Sequence, residues 1–257
     1  MHLKLKVTFD KNVYEFVVSP EKEAKVSDDK RKLFRQINQF ICSGKIEPFI
    51  SETILTYEVL AKRERQEILS NDQPIIVTSE GSHITVGSNP LIHPGNSVQD
   101  DIFLPMAIEL GFKILPDRRF GKLINPAVKP EWYYLTDEDF LVVSERFTRV
   151  LDEMDKLDVG YKAFQIELGL LANTHLRPYQ AIHQYKGGSK KLSAAISERS
   201  DGDSLALHIA NKLDFFCTYD RGVNAKNSVF SEKIVTQLSS KFSFIKGTPE
   251  ALVALLK

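Results

Sequence analysis

Apolar residues alternate along Leu3, Leu5, Val7 and Phe9, and the run stops on Asp10. Period-two alternation specifies a strand, so a carboxylate stands at that strand's carboxyl end. Helical spacing follows at Leu33, Phe34, Ile37, Phe40 and Ile41, closed by Gly44. "IEPFIS" then reads as a short strand, and "ETILTYEVLAKRERQEILS" as a helix whose second half is charged along one side. Strand, helix, strand, helix requires a parallel sheet with helical crossovers, which makes the chain an α/β protein. The rhythm returns near the other end. There "DSLALHIANK" reads as a helix, "LDFFCT" as a strand, "SEKIVTQLSSK" as a helix, "FSFIKG" as a strand, and "TPEALVALLK" as a closing helix with Pro249 in its first turn.

Between these two stretches the alternation breaks. Residues 71 to about 135 hold most of the prolines, a hairpin pattern in "PIIVTSEGSHITVG" with its turn at Glu80 and Gly81, and a loop-rich run from Asn89 to Gly95. "DDIFLPMAIELGFK" has a helical pattern that Pro105 kinks or restarts. The clearest helix spans 137–157, with Phe140, Val143, Phe147, Val150, Leu151 and Met154 on one stripe and Thr136 as N-cap. The expected organisation is one α/β domain, 1–70 with 196–257, interrupted at 71–195 by an inserted α+β region of hairpin, loops and helices. That insertion would act as a lid or a substrate-binding region.

Ligands of open parallel sheets bind beyond the carboxyl ends of the strands. Asp10 follows one such strand and Asp220 another, in "FFCTYD", so two carboxylates distant in sequence should meet at one edge. Glu58 lies between apolar residues in "ILTYEVL", and Asp203 opens the "DSLALHIA" helix. Clustered carboxylates cannot all stay ionised without a compensating cation. Oxygen ligands select Mg2+ or Mn2+, and a cup of four acids points to phosphodiester chemistry.

These residues resemble the motifs of the PIN-domain (PilT N-terminal) nucleases. "FDKNVY" is similar to their first acidic motif, "ISETILTYEVL" to the second, and "DGDSLALHIANKLDFFCTYDRG" to the third and fourth together. The resemblance covers residues 1–70 and about 196–257. It implies a PIN-like three-layer sandwich around a central parallel sheet, with Asp10, Glu58, Asp203 and Asp220 as both catalytic residues and metal ligands. Asn12 and Thr218 would support them through hydrogen bonds. Asp201, two residues before Asp203, is the alternative third acid. One or two Mg2+ or Mn2+ ions would lower the pKa of a bound water and neutralise the leaving oxygen, which would make the chain a hydrolase and, by the family's habit, an endoribonuclease. RNA is the implied substrate. A homodimer and an antitoxin or other protein partner are compatible with the family. The competing reading is a catalytically inactive PIN-fold module that binds RNA or serves as a scaffold.

Two basic stretches are candidate nucleic-acid contacts. One is Arg118, Arg119 and Lys122 around Phe120, with Trp132, Tyr133 and Tyr134 nearby; the other is Lys186, Lys190 and Lys191 in "YKGGSKKLS". The alternative for the first is a solvated loop with its aromatics in the core. With 34 basic and 34 acidic residues among 257, any such contact must be local, because no global field attracts a polyanion. The six histidines lack zinc spacing. No apolar run approaches the ~18 residues of a membrane span, so no membrane role is expected. Cys42 and Cys217 lie in apolar stretches, which suits buried free thiols in the cytoplasm.

Overall fold

In the computed structural model the described residues are 4–21, 27–58, 66, 69–70, 75–80, 83–88, 91–92, 103–119, 123–124, 127–222 and 228–257. The strands are β1 (Leu5–Phe9), β2 (Ile46–Ser51), β3 (Ile75–Glu80), β4 (His83–Ser88), β5 (Leu91–Ile92), β6 (Lys113–Leu115), β7 (Leu123–Ile124), β8 (Phe215–Cys217) and β9 (Ile245–Gly247). The helices are α1 (Lys11–Val18), α2 (Asp28–Cys42), α3 (Leu104–Glu109), α4 (Phe140–Lys156), α5 (Tyr161–Glu167), α6 (Pro178–Gln184), α7 (Ser189–Ala210), α8 (Glu232–Ser239) and α9 (Pro249–Leu256). A single π-helical turn, Ile54–Glu58, follows β2.

Five strands in the order β6-β2-β1-β8-β9 form an all-parallel sheet. Side chains alternate across it, as the pleat requires. Val7, Phe9, Ile50, Ile114 and Cys217 face a core completed by α1, α2, α3 and α9. Phe49, Leu115 and Phe216 face the opposite core, built with α4, α7 and α8. Helices therefore cover both faces, which is why the strands are apolar on both sides. On the second face Thr8 lies against His208, Oγ1 to Nδ1 at 2.8 Å. Burial pushes that histidine down to about 3, so the ring is neutral. A third cluster joins Tyr57 and Leu69 to α5, α6 and the first half of α7, through Phe164, Ile182, Leu192 and Ile196.

The β3–β4 hairpin forms as expected, but Glu80, expected at the turn, belongs to β3 and pairs with His83, and Gly81 lies outside the described residues. The middle region is not separate from the sheet: β6 lies inside 71–195 yet pairs with β2, and α4 packs on α7. Other features differ from the sequence reading or add to it. Lys11–Val18 is helical directly after β1, burying Val13, Tyr14, Val17 and Val18. Asp139 rather than Thr136 caps α4, accepting from the Leu141 amide at 2.7 Å. Phe140 is exposed, outside the buried stripe. Cys217 is a buried free thiol, whereas Cys42 is exposed. No helix among the described residues is long and apolar enough to cross a membrane.

Candidate metal centre

Asp10 leaves the end of β1 and caps α1, its Oδ1 accepting from the Lys11 amide at 2.7 Å. Its Oδ2 accepts from the Thr218 hydroxyl at 2.6 Å and from Asn12 Nδ2 at 2.7 Å. The Tyr219 amide donates to Asn12 Oδ1 at 3.1 Å, so one asparagine ties Asp10 to the segment after β8. A carboxylate has about four lone-pair sites. Three hydrogen bonds therefore fix the Asp10 group and leave room for a cation.

Glu58 ends the π-turn, and Asp201 projects from α7. One carboxylate oxygen each from Asp10, Glu58 and Asp201 lie within 4.8 Å of one another. Burial pushes the Asp10 carboxyl up, against its three hydrogen bonds, and the nearby Asp220 charge adds to the rise. Asp201 is pushed well above the carboxylate range, first by burial and then by Glu58, Asp10, Glu198 and Asp220. Acids at this spacing resist ionisation unless a cation joins them. Three hard oxygen donors suit Mg2+ or Mn2+. Asp220 belongs to the same electrostatic neighbourhood. Its amide donates to Thr218 Oγ1 at 2.9 Å, and its Oδ1 accepts from the Gly222 amide at 2.7 Å, which holds an exposed loop acid at the rim.

Asp203 is not in this group. α7 starts at Ser189, so Asp203 lies well inside a 22-residue helix and does not open it. At about 100° per residue, a carboxylate two positions after Asp201 points to the opposite side of the helix. Asp203 is fully buried there and accepts from Arg119 Nε at 2.8 Å and Nη2 at 2.6 Å. This removes both Asp203 as a ligand and Arg119 as a nucleic-acid contact. Arg118 covers the Phe140 ring at 4.7 Å and donates to Ser144 Oγ at 3.1 Å. Lys122 lies outside the described residues. Lys186, Lys190 and Lys191 are exposed around the start of α7. Ten residues separate Lys191 from Asp201, a rise of about 15 Å along the helix. Of the aromatics, Tyr134 packs edge-on to Phe49 at 5.0 Å, and the Tyr133 hydroxyl donates to buried Glu52 at 2.6 Å.

No family model, curated protein or solved structure matches the chain. Three residues beside the acids did not emerge from the sequence. Lys11 Nζ donates to the Glu58 carbonyl at 2.6 Å, fastening the π-turn to the start of α1. Lys246, at β9, donates from Nζ to the carbonyls of Asp220 at 2.7 Å and Phe230 at 2.9 Å. Burial lowers its pKa, and Asp220, Asp10 and Asp201 oppose that fall. Glu198 Oε1 accepts from the Gly160 and Val229 amides, each at 2.9 Å, and burial raises its carboxyl to about 7. The position of Lys246 beside the carboxyl end of a sheet strand was a usable signal for that residue. Glu198, one helical turn before Asp201, was signalled by spacing alone. A groove of about 1060 Å³ lies elsewhere, at the amino ends of β1 and β9 among Leu5, Ile245 and Leu255.

Proposed function

We propose that the chain is a divalent-metal-dependent phosphodiesterase of PIN-like architecture, an endoribonuclease of the cytoplasm. The observation that carries this reading is the convergence of Asp10, Glu58 and Asp201 to within 4.8 Å beyond the carboxyl ends of parallel strands. Supporting it, Asp10 and Asp201 have raised pKa values that a bound cation would reverse. Asp10, Glu58 and Asp201 would hold Mg2+ or Mn2+, with Asp220 beside them; the ion would supply an activated water and neutralise developing charge on phosphate. Thr218 and Asn12 orient Asp10, while Lys246 holds the Asp220 backbone and brings positive charge toward a polyanionic substrate.

The test is incubation with mixed RNA and single-stranded DNA in Mn2+, with Asp10→Asn and Asp220→Asn in parallel. The reading expects RNA cleavage by the parent and its loss in both variants. Cleavage at equal rates by all three proteins refutes it. Mn2+ binding by the parent with no cleavage of either polymer would instead favour the inactive scaffold.

A further inference from the structure

The face of α7 turned away from the acids carries a largely buried charge cluster. Arg119 alone gives Asp203 three close contacts, between 2.6 and 2.8 Å. Arg199, four residues before Asp203, approaches the same carboxylate only to 3.8 Å. Its Nη2 instead donates to the Tyr57 hydroxyl at 3.2 Å, and its guanidinium lies over the rings of Tyr57 at 4.9 Å, Tyr161 at 5.2 Å and Phe164 at 5.3 Å. Arg199 is therefore surplus to the needs of Asp203 and grips the π-turn.

The location of that grip matters. Tyr57 is the residue immediately before Glu58, and Asp201 lies between Arg199 and Asp203 on α7. The two elements joined by Arg199 and Tyr57 are the two that supply Glu58 and Asp201. When both of those acids are ionised they repel each other, and that repulsion favours separation of the π-turn from the helix. A cation packed against Tyr57 on the other side of the seam opposes that drive. A chain of buried hydroxyls reinforces the seam, from Ser204 Oγ to Thr53 Oγ1 at 2.9 Å and on to Ser51 Oγ at 2.6 Å.

We infer that Arg199 is a positioning residue: acting through Tyr57, it sets the separation of Glu58 from Asp201 and hence the metal affinity of the centre. This rests on the metal-site reading above. Residues that orient ligands from outside the coordination sphere change metal affinity by about 10–100-fold when removed. The planar fork of arginine cannot be reproduced by lysine. Arg199→Met should therefore weaken binding most, Arg199→Lys should recover part of the loss, and Tyr57→Phe should show the effect of a single hydroxyl.

The experiment is calorimetric titration of the full chain with MnCl2, beside the metal-free thermal midpoint of each protein. Leu238→Ala, on the buried face of α8, serves as a control for lost stability. The expected result is a Kd for Mn2+ raised about tenfold or more in Arg199→Met and several-fold in Tyr57→Phe, with Leu238→Ala at the parent value. A Kd within twofold of the parent in Arg199→Met and Tyr57→Phe overturns the inference. So does equal weakening in Leu238→Ala at a matched loss of stability. If Arg199→Met does not fold, Tyr57→Phe decides. Binding lost in Asp10→Asn but kept in the seam variants sinks this inference alone; no Mn2+ binding by the parent sinks the metal reading and this inference with it.

Discussion

Asp201 and Asp203 stand two residues apart on one helix, and neutralising them should move stability in opposite directions. Asp201 belongs to a trio whose oxygens lie within 4.8 Å. At that separation an ionised pair repels by about 0.9 kcal/mol in bulk water and about 3.5 kcal/mol at an effective dielectric of about 20. Asp201→Asn removes two such pairs. Proton uptake by the cluster already relieves part of the repulsion, so the metal-free protein should gain about 2 kcal/mol near pH 7, toward the lower end of that range. The sign follows from linkage. A raised carboxyl means that the folded chain binds more protons than the unfolded one, and stability falls as pH rises from the ordinary carboxylate range through the raised value. The variant lacks that fall, so its gain should disappear near pH 4. Asp203→Asn leaves the largely buried Arg119 without its carboxylate, and removes the charge 3.8 Å from Arg199, and should cost about 3–5 kcal/mol. Thermal unfolding in EDTA at the two pH values reads both effects, at roughly 2–4 °C per kcal/mol for a chain of this size. A midpoint for Asp201→Asn at or below that of the parent near pH 7, or a gain in Asp203→Asn, would refute the assignment of the two acids.

Three further outcomes are expected. A Cβ on Gly202 would lie 2.8 Å from the Gly160 Cα, backbone against backbone, so Gly202→Ala should cost about 1–3 kcal/mol in a denaturant titration. Thr218→Val removes the 2.6 Å donor to Asp10 while keeping the side-chain shape, and should weaken Mn2+ binding about tenfold or more in a calorimetric titration. Glu198, raised to about 7 by burial, makes the folded chain lose stability between about pH 4.5 and 7. Glu198→Gln keeps an acceptor for the Gly160 and Val229 amides and should flatten that part of the stability profile measured by urea unfolding.

The parallel sheet was legible because β1, β2, β8 and β9 carry apolar residues bounded by turns, and α2 and α9 carry helical spacing with recognisable caps. The placement of Asp10 and Asp220 followed from the rule for sheet ends. α1 was missed because "VYEFVV" is dense in β-branched and aromatic residues, and its helix is imposed by packing against α2. β6 is only three residues long and leaves almost no periodic trace. The misplacement of the third acid has a single cause. "SERSDGDSL" looks like a break at Gly202, yet the helix runs straight through it, because the missing side chain there lets Gly160 pass at close range. α7 also lacks a clear apolar stripe, since its second half is buried nearly all round. Its true start was therefore invisible to periodicity, and the error moved Asp203 from the far side of the helix into the cup.

The bond from Thr218 to Asp10 joins positions 208 residues apart, and β1 acquires its second neighbour only when β8 is in place. On the ribosome Asp10 emerges 208 residues before its hydroxyl anchor, Thr218, and stays without it over that interval. The surroundings of Asp10 are thus completed only after β8 has been made, and a chain released before Cys217 would retain Asp10 but lack the partner strand beside it.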